Sequence, residues 1–324
     1  MSEIRAGGAG ASAVPTGQAG PDGPGGAAEE WRRRMEEISR LPHGRPLHLG
    51  RLIIAVLMVV AVAGLAVSVA RNPAFEWATV ADYFFSERVL NGLLNTITLT
   101  ALSMGLALVV SVVIANMRLS ANPVLRAVSG TYVWFFRSIP LLVLLILWFN
   151  VSLIYPTFSL PNPFGGDLFA LQTRNLMTAY WSAVLAFGLQ QAAYTSEIIR
   201  SSLLAVPKGQ REAALALGMT PFDIFRRIVF PQAMKIAVPP VSNDLINLMK
   251  ATSLVAFISV SDLLYSVQQI YNRTFEVVPL LMVATIWYMI LVSVLSVGQY
   301  YLERVLGRST ATTTRRAGRV RAQP

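Results

Sequence analysis

The chain has 324 residues and a net charge of +10, with 14% charged and 54% hydrophobic residues. A soluble domain carries about a quarter charged residues, so this balance, with a mean hydropathy of +0.53, excludes an ordinary soluble globule and points to lipid. A basic excess in such a chain reflects loops held in the cytoplasm rather than a nucleic-acid partner, and the absence of cysteine excludes disulfides, thiol catalysis and Cys-held metals.

Residues 1–27 are mostly Gly, Ala and Pro and cannot bury enough apolar surface to order themselves, so a disordered tail is expected there. Residues 28–51 mix acids with Arg32, Arg33, Arg34, Arg40, Arg45 and Arg51, making 1–51 a basic tail as a whole. It contains His43 and His48, the two histidines of the chain, so no His-ligated metal centre can lie in the apolar region. The segment 52–70 is the first run of the roughly 20 apolar residues needed to cross a bilayer. It starts too far into the chain for a cleaved signal peptide and is expected to be an uncleaved span. Further spans are expected over Gly92–Met117, Ser138–Tyr155, Met177–Ser196 and Val277–Leu302. Another, Ile236–Ser261, is interrupted by Asp244 and Lys250. Arg137 is expected to anchor the third span at the headgroups, with Pro140 in its first turn. Trp134 and Trp148 suit interface or packing positions. Residues 156–176, with three prolines and two glycines, are expected to be the longest non-helical loop between spans.

With six spans the basic residues sort by side. Seven lie in the N-terminal segment, three in the second loop, six in the fourth and six in the C-terminal tail, 307–324 included. The alternate loops hold only Arg71, Arg88, Arg174 and Arg273. By the positive-inside rule both termini are cytoplasmic. Without the interrupted span the basic C-terminus would lie outside.

The fourth loop, 200–232, is predicted to fold as two short helices. Pro207 opens the first, and Gln210, Arg211, Glu212, Ala213, Ala214 and Ala216 are mostly good helix formers. Gly218 stands where a left-handed helix-ending residue belongs. Thr220 is the expected N-cap of the second helix, followed by Pro221 and Asp223 in a variant of the capping box. That helix is expected to end before Pro231, with Phe222, Phe225, Ile228 and Val229 on one side and Arg226 and Arg227 opposite. Such a hairpin suits docking to a partner, through its small Ala-Ala centre and the charge of Glu212, or lying on the membrane surface.

These residues resemble a known pattern. Glu212-Ala213-Ala214, Gly218 four positions on, Ile228 and Pro231 are similar to the EAA loop of binding-protein-dependent ABC importer permeases. Phe230 stands where that pattern has Leu. Ala193-Tyr194, Glu197 to Arg200, Gly209-Gln210, Pro231-Gln232-Ala233, Asn91-Gly92 with Thr96, Arg137 to Leu142 and Lys250 to Leu254 resemble the polar amino acid permeases, although Ala251 replaces an expected Asp. The likeness covers residues 88–306. It implies an all-α integral membrane protein with the five-helix core of the type I ABC importers plus one extra N-terminal span at 52–70. It also implies a second permease copy or paralogue, two cytoplasmic ATP-binding subunits, an extracytoplasmic substrate-binding protein, and a coupling helix in the EAA loop. The substrate class it implies is amino acids or similar polar metabolites, carried by alternating access. The chain has no Gly-x-x-x-x-Gly-Lys-Ser/Thr loop, so ATP chemistry is expected in the partner subunits, and this chain is expected to bind no cofactor and to be no enzyme.

Candidate path residues are the polar ones within spans, which are costly there unless they face a cavity or one another. Asn243, Asn247 and Lys250 lie within about 60° of one another on a helix. They line either a translocation path or a helix interface. Gln190 and Gln191 are a second polar pair with the same two readings. Asp244 is expected to meet a basic loop residue, and Glu197 to pair locally with Arg200. A secondary transporter or channel without ATPases is the alternative class, but no inverted repeat is visible. An intramembrane enzyme lacks a nucleophile with its base.

Overall fold

The structure is a computed structural model that describes residues 31–37, 49–161 and 167–320. The predicted tail at 1–27, His43 and His48 lie outside the described residues. The chain divides into two compact units, Met1–Ser68 and Val69–Pro324. The first contains a helical segment at 31–37 and most of helix α1 (Leu49–Arg71), which is apolar all round, as a lipid-facing span requires.

Among the described residues the regular structure of the second unit is helical apart from one β-hairpin. After α2 (Trp77–Phe84), helix α3 (Glu87–Leu119) starts five residues before the predicted span and ends two after it. Helix α6 (Ala179–Leu204) packs parallel along it, since Tyr180 Oη donates to Thr98 Oγ1 near the start of both helices and Arg118 meets Glu197 near the end of both. Leu99, Met104 and Ala107 of α3 and Ala183, Ala186, Phe187 and Ala193 of α6 are buried between them. The small residues let the backbones approach closely. Protein on several sides explains why α6 can carry two glutamines and many hydroxyls, whereas lipid-facing helices must be apolar. Among the described residues three helices qualify as spans by length and composition, Ile53–Arg71, Glu87–Leu119 and Val277–Leu306, or five if two bent pairs each count as one.

The first bent pair corrects the predicted third span. Helix α4 (Pro123–Ser138) is capped by Asn122, whose side chain accepts from Val124 N at 2.9 Å, and it runs well ahead of Ser138. Ile139 and Pro140 are extended, and helix α5 (Leu141–Phe149) leaves at 102°. Pro140 lacks the N–H that Phe136 O would accept, and the residue before a proline avoids helix. Arg137 lies in the last turn of α4, four residues ahead of the start of α5. Its guanidinium lies 5.0 Å from the ring centre of Tyr194, in the interior of α6.

The loop after α5 differs from expectation too. Strands β1 (Thr157–Pro161) and β2 (Asp167–Gln172) form an antiparallel hairpin, and Thr173–Leu176 adds one helical turn.

The second bent pair comprises α9 (Phe230–Ala251), a 3-10 segment at Thr252–Ile258, and α10 (Leu263–Thr274) after a 44° bend. Asp262 caps α10, accepting from Tyr265 N at 2.8 Å. A second cluster joins α10 to α2, α3 and the long last helix α11 (Val277–Val320) through Val80, Val89, Leu263, Val267, Leu280 and Val283. Here α3 and α10 touch at Gly92, where a Cβ would fall on Ser266 and within 2.7 Å of Asp262 O. Thr96 Oγ1 accepts from Leu263 N at 3.0 Å beside that contact.

Candidate functional site

The hairpin between α6 and α9 is built by strong local signals. Helix α7 (Lys208–Ala216) ends with Gly218 at φ +74°, a conformation that disfavours any side chain. Gly218 N donates to Leu215 O at 2.9 Å and Met219 N to Ala214 O at 3.1 Å, the paired bonds of a Schellman end. Thr220 Oγ1 accepts from Asp223 N at 3.2 Å and donates to Asp223 Oδ2 at 2.7 Å, opening helix α8 (Pro221–Ile224). This fastens the turn between the two helices at both ends.

Two expectations about the hairpin are corrected. The second helix does not end before Pro231 but continues through a π-helical turn at Phe225–Val229 into α9. Phe230 N bonds Phe225 O, five residues back. Pro231 can donate nothing and its ring would crowd the carbonyl of Arg227 in an α-helix; a wider turn relieves that conflict. The apolar face also differs. Ile224 and Val229 are buried, Ile228 is partly buried, and Phe222 and Phe225 are exposed. The regular helical spacing used to group them does not hold across the π turn.

The Ala-Ala pair is split in the same way. Ala214 is 2% exposed and packs with Val206, Ile224, Val229 and Ala233. Glu212 and Ala213 face outward, while Arg211 Nη2 donates to Leu203 O at 2.9 Å and ties α7 to the end of α6. Around the outward face stand Leu215, Leu217 (82% exposed), Phe222 (69%) and Phe225. The seated hairpin thus presents exposed large apolar side chains beside the carboxylate of Glu212, the kind of patch that marks contact with a protein or a membrane. Thr220 and Pro231 are exposed and act on its geometry.

Beneath the hairpin, Glu197 links two helices. Oε1 accepts from Arg118 Nε of α3 at 3.0 Å, and Oε2 from Arg200 Nη2 at 2.8 Å. Spacing reveals the Arg200 pair; the Arg118 pair bridges helices and was missed.

The candidate path residues divide. Asn243, Asn247 and Lys250 all lie on the exposed side of α9. Gln190 is 8% exposed and its Nε2 donates to Phe136 O at 3.2 Å and Ile139 O at 2.8 Å, at the break between α4 and α5. Gln191 Nε2 donates to Asp244 Oδ2 at 2.9 Å and to Thr195 Oγ1 at 3.1 Å. Asp244 therefore meets an amide of α6 and not the basic loop residue expected for it. Among the described residues no cluster of His, Asp and Glu could hold a metal. A polar cavity at the other end of α3, around Arg88 and Arg273, also escaped the sequence. Its signal was the same polar spacing, present on two helices that are far apart in the chain.

Residues 107–308 match the family described as binding-protein-dependent transport system inner membrane component. The chain is 42% identical over 275 residues to the arginine transport system permease protein ArgU of Corynebacterium glutamicum, covering 84% of this chain and 85% of that one. It is 36% identical over 240 residues to the L-cystine transport system permease protein TcyB of Bacillus subtilis, covering 74% of this chain and 94% of that one. In a crystal structure of an amino acid ABC transporter with histidines, the matching chain has a TM-score of 0.57 and 28% identity, over 67% of this chain and 93% of that chain. A chain of the MetNI methionine ABC transporter in an inward-facing conformation shares the fold at a TM-score of 0.55 and 19% identity, over 68% of this chain and 99% of that chain. This chain belongs to the family of inner membrane components of binding-protein-dependent transport systems, as an ABC transporter permease.

Proposed function

We propose that this chain is one of two membrane-spanning halves of an ATP-driven importer that carries amino acids across a bacterial plasma membrane. Six spans, α1 added to a five-helix core, with both termini in the cytoplasm, follow from the distribution of Lys and Arg. The hairpin of α7 and α8 then faces the cytoplasm and docks on an ATP-binding subunit, two of which serve the permease pair. A binding protein delivers solute to the opposite face. The chain itself binds no cofactor; the partner subunits bind and hydrolyse ATP. Their closure moves the hairpin, and its fastening to α6 and α9 passes that motion to the spans. The exposed side of α9 with Asn243, Asn247 and Lys250 lines the path between the two permeases. Amino acids as the solute are supported by relatives named for arginine and L-cystine transport.

The observation that carries this reading is the hairpin itself, with Glu212 and Ala213 exposed on a helix closed by Gly218. Glu212→Lys reverses the docking charge. Gly218→Pro forbids the positive φ and removes a closing bond. Both variants are expected to insert normally into membranes and to lose solute-stimulated ATPase activity in the reconstituted complex. Normal stimulation in both would show that this hairpin is not the coupling element.

A further inference from the structure

At the end of α3 remote from the hairpin, a cavity of about 720 Å3 opens between α3 and α10. Helix α3 supplies Arg88, Asn91 and Asn95, and α10 supplies Ser266, Gln269 and Arg273. Each set is spaced i, i+3, i+7, so each occupies one helical face. In its wall Gly92 meets Ser266, and Asn95 Nδ2 donates to Ser261 O at 2.8 Å. Glu87, Ser86, Tyr83, Ile270 and Thr274 also line it, and the Ser86 hydroxyl is buried without a hydrogen-bond partner among the described residues.

The charges define the ligand. Among the described residues Arg88, Arg273 and Glu87 take part in no ion pair. The volume falls within the roughly 300–1,000 Å3 of small-molecule sites, and beside Tyr83 and Ile270 most of the lining residues carry amides, hydroxyls or charges. Guanidinium groups recognise a carboxylate through paired hydrogen bonds. A carboxylate beside them suits an ammonium group. A small molecule with both groups on one carbon is an α-amino acid.

We propose that this cavity is a receiving site on the outer face, where a free α-amino acid is held through its carboxylate by Arg88 and Arg273 and through its ammonium by Glu87. From there the solute passes to the side of α9 that carries Asn243, Asn247 and Lys250. The inference rests on the importer reading above and on the orientation that comes with it. It assigns to the permease its own recognition of the groups common to all amino acids, leaving side-chain selection to other contacts.

The test uses the purified permease–ATPase complex. ATP-dependent uptake of labelled L-arginine, L-cystine and L-glutamine into proteoliposomes, with the binding protein present, first identifies a transported solute. Direct binding of that solute is then measured in detergent without the binding protein. Arg88→Gln and Arg273→Gln are each expected to weaken binding about tenfold. The decarboxylated amine of the same solute is expected not to compete. Thermal melts check that the variants remain folded. Unchanged affinity in both variants, or equal competition by the amine, overturns the proposal. So does absence of direct binding by a wild-type complex that still transports. Weakened affinity for the binding protein with unchanged solute binding also overturns it, making the cavity a docking seat instead. Absence of any ATP-dependent uptake defeats the importer reading on which the proposal depends.

Discussion

Gln190 donates both of its amide hydrogen bonds to carbonyls at the break between α4 and α5. The acceptor at Phe136 has no helical donor because the residue four positions on is Pro140. An unpaired carbonyl deep in an apolar layer costs about 1–3 kcal/mol. Gln190→Leu, close in size, is therefore expected to lower the stability of the detergent-solubilised protein by about 1–3 kcal/mol per lost bond. A thermal melt measures this, and an unchanged midpoint would mean that the break is held by packing alone. The neighbouring glutamine has a different role, since Gln191 reaches Asp244 on α9. In the sequence the two are adjacent and chemically identical. Their roles separate only through the helices that pack against each side of α6, which is why spacing alone left both readings open.

Glu197 joins α3 to α6 at the hairpin end, where its carboxylate receives Arg118 and Arg200. The Arg118 side chain is 31% exposed and that of Glu197 19%, so solvent screens the pair. Glu197→Gln is expected to destabilise by roughly 1 kcal/mol, an effect that shrinks in high salt. Melts at low and high ionic strength measure it, and equal stability of mutant and wild type at low salt would remove the pair from the account. The Arg200 contact is local and legible in the sequence; the Arg118 contact joins residues 79 apart and is not. The same division holds for the helices. Gly218, Thr220 and Pro221 write the hairpin's turn into local chemistry, and the structure follows it. By contrast α4, with Arg126, Arg137 and several hydroxyl residues, looks like a loop beside the apolar run of α5. Pro140 is equally compatible with a helix start and a helix break. The π turn before Pro231 is invisible to a count that assumes 3.6 residues per turn.

Across the molecule the parts connect in a chain from hairpin to membrane helices. Helix α7 presents its outward face, Arg211 and the Ala214 cluster fasten it to α6 and α9, and α6 packs along α3. The two bends, after Ser138 and before Leu263, divide the core into segments that meet at 102° and 44°. Apolar runs made the membrane class legible, and local signals the hairpin's turn. Hydrophobicity could not disclose which polar side chains face a cavity, because that depends on neighbours distant in sequence. The central claim is that ATP in partner subunits drives uptake through this chain. It is tested most directly by L-arginine uptake into proteoliposomes holding the permease and its ATPase, with the binding protein on the outer side. Accumulation is predicted only with ATP enclosed, unaffected by ionophores that collapse ion gradients, and lost in Glu212→Lys. Uptake that persists without ATP and disappears with the ion gradient would contradict the account.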